Sequence, residues 1–399
     1  MNRRLPFPPA LKLLQAMVLA TIAGTVSAAD NPADHVFYNG HIYTMSADAP
    51  WAEAVAVRGD TIVYVGSNSG AQAFSNASTV RHDLQGQMMT PGFIDAHMHV
   101  GSTLPYLFAA QLGPDMTPAQ IFDTLRAHGE AYPDQNPVIG TGFLGAAFGP
   151  QGPTAADLDK IFPDRPAIIF DEGFHSAWVN SRAMEMVGLD ADTPDPIPGA
   201  HYYRRYPDGR PTGWLIEGES FGWISAKLGL VREDILEEAA DIFLARMSAM
   251  GITGAFDAGM IEGGGELFRF MGRRAEEGRL PVRIVGSHYV NSSPGLDTAL
   301  EDLARLSRDY EHELFDVEVL KISLDGTVEA QTAYMLEPYI QPPGHRASAL
   351  VPLDQTREVM AEAVANSTDI HLHAIGDAAV RMALDLVQYS REQHPDSTS

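Results

Sequence analysis

Two rhythms of apolar and polar positions divide the chain. Residues 36–45, 54–58 and 61–65 alternate or are rich in β-formers. Asn39-Gly40 and Gly59-Asp60 read as hairpin-type turns. Together they predict a small all-β unit over residues 30–90. From about residue 231 the period lengthens. Helical stretches at 231–250, 266–277, 300–310, 356–365 and 377–393 alternate with β-rich runs at 253–257, 282–289, 317–325 and 369–374. Such βα alternation predicts a parallel sheet flanked by helices. With the run 93–99, which follows the break at Pro91-Gly92, about five strands of that sheet are expected.

Residues 100–230 show neither rhythm. They hold many Pro and Gly residues and short apolar runs, and read as an irregular inserted subdomain over the mouth of the sheet's strands. The first 29 residues form a further segment. Arg3 and Arg4 precede an apolar run over 13–26, and Val26-Ser27-Ala28 offers small residues before a cut near Ala29. This reads as a signal peptide and a periplasmic or secreted protein, with a membrane-anchor helix as the alternative. The apolar run is short for a span.

Composition narrows the chemistry. With 27 basic against 52 acidic residues the formal charge is −25. That balance argues against nucleic acid or an anionic membrane as partner. There is no cysteine. Disulfides, thiolate metal sites and a cysteine nucleophile are therefore excluded, and any metal must be held by His, Asp, Glu or a modified Lys.

Several residues then stand out. His97 and His99 are two apart on a strand and share a face with Asp95. Converging imidazoles at a strand end suit a divalent ion. His371 and His373 form a second such pair, with His371 open as ligand, supporting residue or core. Lys321 lies in the run 317–323, where period-two alternation puts Val317, Val319, Lys321 and Ser323 on one face. A lysine inside a sheet needs a counter-ion or a modification. Asp257 either orients a ligand or caps the next turn, and Asp377 reads as a helix N-cap. In the inserted region His175 either contacts substrate or supports the turn before Trp178, and Glu217 is a candidate for the site. Phe143, Phe148, Phe174, Trp178, Tyr202, Tyr203, Trp214 and Phe221 either meet an apolar or aromatic substrate or form the insertion's own core.

Pro91-Gly92-Phe93-Ile94-Asp95-Ala96-His97-Met98-His99 resembles the first-strand signature of the amidohydrolase superfamily. His175-Ser176-Ala177-Trp178-Val179-Asn180-Ser181, Gly251-Ile252-Thr253, Asp325-Gly326-Thr327 and His373-Ala374-Ile375-Gly376-Asp377 are similar to its YtcJ-like, or amidohydrolase-3, branch. The resemblance runs from about residue 35 to the end. It implies an α/β fold: a TIM-type (β/α)8 barrel over 91–399, about five of its βα units present, preceded by part of a small β-sandwich. It implies one or two divalent ions, zinc first, held by His97, His99, Lys321 and His373, with Lys321 carboxylated as a bridging ligand. It implies hydrolysis of a non-peptide, amide-type C–N bond in a small molecule by metal-activated hydroxide, with His175 and Glu217 as candidate catalytic groups. A homo-oligomer is compatible with it. The family's aspartate general base and a further histidine ligand are expected on later strands, so the chain reads as a fragment of a longer enzyme. The alternative is an inactive metal- or ligand-binding remnant.

Overall fold

The computed structural model describes residues 32–260, 265–340 and 344–395. The expected signal peptide over residues 1–29 lies outside the described residues. The chain divides into two compact units between Gly92 and Phe93.

The first unit holds strands β1 (His35–Tyr38), β2 (His41–Tyr43), β3 (Trp51–Ala52), β4 (Ala54–Arg58), β5 (Thr61–Gly66), β6 (Val80–Asp83) and β7 (Met88–Met89). They form two sheets, β5-β4-β1-β6 and β3-β2-β7. Gly59-Asp60 joins the antiparallel pair β4 and β5, as the sequence predicts. Asn39-Gly40 does not make the predicted hairpin. β1 pairs with β4 and β6 while β2 pairs with β3 and β7, so this dipeptide carries the chain from one sheet to the other. The same local chemistry serves both geometries. Asn39 takes φ 57, and a side chain at Gly40 would meet Leu84 Cδ1 at 2.5 Å.

The second unit begins with β8 (Phe93–Met98). The region expected to be irregular follows, and it is an organised sheet. Strands β9 (Ala110–Gln111), β10 (Val138–Phe143), β11 (Ala167–Asp171), β12 (Ser176–Val179), β13 (Tyr202–Arg205) and β14 (Pro211–Ile216) lie in the order β13-β14-β12-β11-β10-β9. Both faces of this sheet are covered. Ile168, Phe170, Ala177 and Val179 enter one core. Ala167, Ile169 and Trp178 enter another. A strand buried on both faces has no polar side to alternate with, so its period is hidden in the sequence.

Beyond it come β15 (Ile252–Asp257), β16 (Arg283–Val290), β17 (Phe315–Ser323) and β18 (Asp369–His373). With β8 they form a five-stranded, wholly parallel sheet in the order β18-β17-β16-β15-β8. Helices Glu233–Ala249, Gly265–Glu276, Ser293–Asp309, Leu353–Ala365 and Asp377–Gln393 alternate with the strands. Their apolar stripes pack with Ile284, Phe315, Val317, Leu320 and Ile322 in one core. The helix predicted from residue 300 starts at Ser293. Ser292 caps it by accepting from the Gly295 amide, and Pro294 fits its first turn. Among the described residues neither β8 nor β18 has a second strand neighbour.

One irregularity in β17 decides what the sheet presents. Gly286 pairs with Val317 but Ser287 pairs with Val319, leaving Glu318 as an extra residue. Such a bulge reverses the face parity of the strand. Phe315 and Val317 face the helices before it, and Leu320, Ile322 and Leu324 after it. Val317 therefore does not share a face with Lys321 and Ser323, contrary to the simple period-two reading.

Asp316 on this strand is partly buried and its Oδ1 has no hydrogen-bond partner among the described residues. Burial, helped by Glu318, pushes its carboxyl from 3.8 up to about 6. Between those pH values the folded chain holds a proton that the unfolded chain has released, so stability falls as pH rises and stays lowered above about 6. Asp316→Asn is expected to remove that slope and to stabilise the protein by about 1 kcal/mol at pH 7. Urea unfolding between pH 4 and 7 reads it, and an unchanged slope refutes it.

Candidate metal and substrate site

The parallel sheet ends in a cavity of about 890 Å³. Its floor carries Asp95, His97 and His99 from β8 and its sequel, Lys321 and Ser323 from β17, Asp325 just after, and His373 from β18. Register explains the grouping. Lys321 lies beside His371 and Ser323 beside His373. All are at the carboxyl end of a parallel sheet, where such folds place their sites.

Hydrogen bonds settle which nitrogens are free. His99 Nδ1 is 3.0 Å from the Gly259 carbonyl. A carbonyl only accepts, so Nδ1 carries the proton and Nε2 keeps its lone pair. His373 is the converse: Nε2 donates to the Gly326 carbonyl at 3.3 Å, which leaves Nδ1 free. Burial lowers the pKa of both His97 and His373 and so favours their neutral, ligating form.

Lys321 is 3% exposed. Burial alone pushes its ammonium down to about 8. No hydrogen bond or ion pair reaches its Nζ among the described residues, so no acid takes the counter-ion role that the strand pattern allowed. His371 does not line the cavity. Its ring lies 4.9 Å from that of His97 and 5.2 Å from Phe256, and burial followed by Lys321 holds its pKa down to about 4.

Asp325 ties the site together. Its Oδ2 accepts from the Tyr334 and Gly376 amides at 2.8 Å each, and its Oδ1 from Ile375 at 3.0 Å. The loops after β17 and β18 are thereby joined. Asp377 serves a similar end. Gly376, not Asp377, is the helix N-cap, and Asp377 Oδ1 accepts from the Leu336 amide at 2.7 Å. Asp257 accepts from the Gly101 and Gly259 amides, holding the backbone next to His99.

The inserted sheet supplies the opposite wall. His175 Nδ1 donates to Glu217 Oε2 at 2.8 Å, and the His175 ring lies 5.8 Å from that of His373. Burial depresses the His175 pKa, but the bond to Glu217 and the nearby charges outweigh it and the net shift is upward. Burial likewise opposes ionisation of Glu217, and His175 and Thr332 more than offset it. The Thr332 hydroxyl donates to the other oxygen of Glu217. Of the predicted aromatics, Phe174 and Phe221 line the cavity. Phe143, Phe148, Trp178 and Tyr203 belong to the insertion's cores, and Tyr202 packs with Trp214 in a separate cluster.

The structure thus brings all six predicted residues, His97, His99, His175, Glu217, Lys321 and His373, to one cavity. It adds Tyr106, Glu172, His201, Glu219, Trp223 and Asn291, for which the sequence carried no signal beyond residue type. No three His, Asp or Glu side chains among the described residues converge closely enough to hold an ion by themselves. The chemistry of the donor set nevertheless suits a borderline divalent ion: imidazoles with free lone pairs, carboxylates, and a lysine whose pKa is lowered to about 8.

Gly326 is a tight point in this arrangement. A Cβ there would sit 2.1 Å from Thr332 Oγ1 and 2.2 Å from Glu217 Oε1. Gly326→Ala is expected to lower stability by about 1–3 kcal/mol. Gly218→Ala, with nothing within 4 Å, should stay within about 0.5 kcal/mol. Equal losses in urea unfolding would refute the close fit.

Comparison with known proteins places the chain in a family. The exoenzymes regulatory protein AepA of Pectobacterium carotovorum is 32% identical over 366 residues, covering 90% of this chain and 77% of that protein. An N-substituted formamide deformylase of Arthrobacter pascens is 25% identical over 90% of this chain, which spans 66% of it. The fold resembles that of an uncharacterized metal-dependent hydrolase from Pyrococcus horikoshii, with a TM-score of 0.64 at 20% identity over 89% of this chain and 68% of that one. A family model described as the amidohydrolase family matches residues 82–398. The chain belongs to the amidohydrolase family, in its amidohydrolase-3 branch.

Proposed function

We propose that this protein is a metal-dependent hydrolase that cleaves a non-peptide, amide-type C–N bond in a small molecule, such as an N-formyl or N-acyl amine. The observation that carries the reading is the company Lys321 keeps: a buried lysine without a counter-ion, beside imidazoles whose bonds to carbonyls leave a lone pair for an ion. His97, His99 and His373 would hold a divalent ion, zinc first, together with Lys321 carrying CO₂ as a carbamate. The neutral amine is the form that reacts with CO₂, and a pKa lowered to about 8 enlarges its share. Bound there, a divalent ion lowers the pKa of water and polarises a carbonyl.

The remaining work falls to the chain's own groups. Glu217 fixes the His175 ring through Nδ1, so Nε2 is the nitrogen left to exchange protons with substrate. As a base it takes a proton from the attacking water, and as an acid it returns one to the departing nitrogen, which leaves as an amine. The cavity walls from Phe174, Phe221 and Trp223 would cover an apolar substituent and limit access of bulk water. The relative named for N-substituted formamides supports the amide class. A second reading is ion or ligand binding without turnover, which the same cavity and donor set allow.

Metal content and turnover separate the two. Zinc- or manganese-reloaded protein is expected to hydrolyse members of an N-formyl and N-acyl amine panel. His97→Ala and Lys321→Ala should lose bound metal and at least about 100-fold in kcat/KM. His175→Ala should keep its metal and lose about 10²–10⁴-fold in kcat. Stoichiometric metal with no turnover of any amide would favour the second reading. Undiminished metal and turnover in His97→Ala would refute the site.

A further inference from the structure

His201 has no task in the reaction just described, yet it lines the same cavity and is 2% exposed. Its Nδ1 accepts from the Glu219 amide at 3.0 Å. An amide can only donate to it, so Nδ1 is unprotonated and the neutral ring carries its proton on Nε2. That Nε2–H has no acceptor among the described residues. Burial lowers the pKa of the ring, which keeps it neutral and keeps this tautomer. A buried donor without an acceptor is rare in native proteins, and its commonest resolution is a ligand or an ordered water.

Tyr106, another residue that lines the cavity, carries a polar group in the same condition. The Tyr106 hydroxyl is buried and unpartnered among the described residues. Its ring is held 4.9 Å from Phe170 and 5.0 Å from Phe174. The charges near His201 limit what it can meet. Glu217 and Glu219 act on it electrostatically, and Glu219 is braced by Asn291 at 3.1 Å. Two carboxylates disfavour an anionic oxygen, while a neutral donor suits an uncharged one.

We propose that His201 is a specificity-determining residue whose Nε2–H binds an uncharged oxygen, a hydroxyl or carbonyl, carried by the substrate away from the scissile amide. The proposal rests on the hydrolase reading and narrows its substrate class to oxygenated amides. The unpartnered Tyr106 hydroxyl points to a ligand with more than one such oxygen.

Two substitutions separate binding from scaffolding. His201→Asn keeps an acceptor near the place of Nδ1 for the Glu219 amide and removes the Nε2 donor. His201→Gln keeps a donor near the place of Nε2 and removes the acceptor. The probes are N-formyl-2-amino-1-phenylethanol and N-formyl-3-amino-1-phenylpropanol, each against its deoxy partner, with zinc-loaded full chain. The wild type is expected to favour the hydroxylated member of a pair by about tenfold in KM, the scale of one neutral hydrogen bond. His201→Gln should retain the preference. His201→Asn should lose it, with kcat on the deoxy amides and thermal melting near wild type. A preference that survives in His201→Asn, or is absent from the wild type for both pairs, overturns the proposal. Calorimetric binding of the corresponding free amines gives the same comparison without turnover. If no amide is cleaved but the hydroxyl preference and its loss in His201→Asn appear there, the hydrolase reading fails and the subsite stands.

Discussion

The carboxylate of Asp325 is the contact on which the site's geometry depends. It is fully buried and satisfied by three backbone amides from two different loops. A buried carboxylate is tolerated only when such donors replace water, and three amide donors do so in fixed directions. The amides of Ile375 and Gly376 fix the turn that follows His373. The amide of Tyr334 fixes the segment that carries Thr332, and Thr332 in turn holds Glu217. One carboxylate thus couples the His373 end of β18 to the wall built by the inserted sheet. Burial raises its pKa despite these bonds.

Around that anchor the two sides of the cavity shift their basic groups in opposite directions. Imidazoles and Lys321 line the sheet side, and burial pushes His97, His373 and Lys321 toward neutrality. On the facing wall His175 is pushed the other way by Glu217, toward the charged form. Groups poised to bind a cation need free lone pairs, and a group poised to move protons needs a raised basicity. On the hydrolase reading the two walls would meet these opposite needs within one space because they belong to different sheets. Each can therefore set its own surroundings.

How much of this was legible follows from period. The βα rhythm beyond residue 251 is plain because each helix there has one apolar stripe and each strand is short and β-rich. Asp377–Gln393 matches its predicted range, and His97, His99, Lys321 and His373 all end on the cavity side. The inserted sheet was hidden because Ala167–Asp171 and Pro211–Ile216 are buried on both faces. The bulge at Glu318 left no mark in residue type, so Val317 was assigned to the wrong face. Asn39-Gly40 carries the chemistry of a turn, but a turn does not say which sheet the next strand joins. His201 and Tyr106 were invisible for a different reason: an unpartnered atom is a property of the assembled fold, and no spacing announces it.

Glu217 shows how the backbone yields to such a site. It follows a fully buried strand and precedes a helix, and its φ 65 and ψ 156 fall in a region that is almost reserved for glycine. A side chain in that conformation costs of order 1–3 kcal/mol. Glycine would remove the strain, and the segment continues into Gly218, so a more flexible residue is close at hand in sequence. What glycine cannot supply is a carboxylate that reaches His175 with one oxygen and Thr332 with the other. The backbone is bent so that the side chain arrives between the two. Strain held in place by two charge-assisted contacts is what distinguishes a positioned group from an incidental buried acid. By that criterion the His175–Glu217 pair is held in place by more than the packing of the insertion's core, as the proposed hydrolase reading requires.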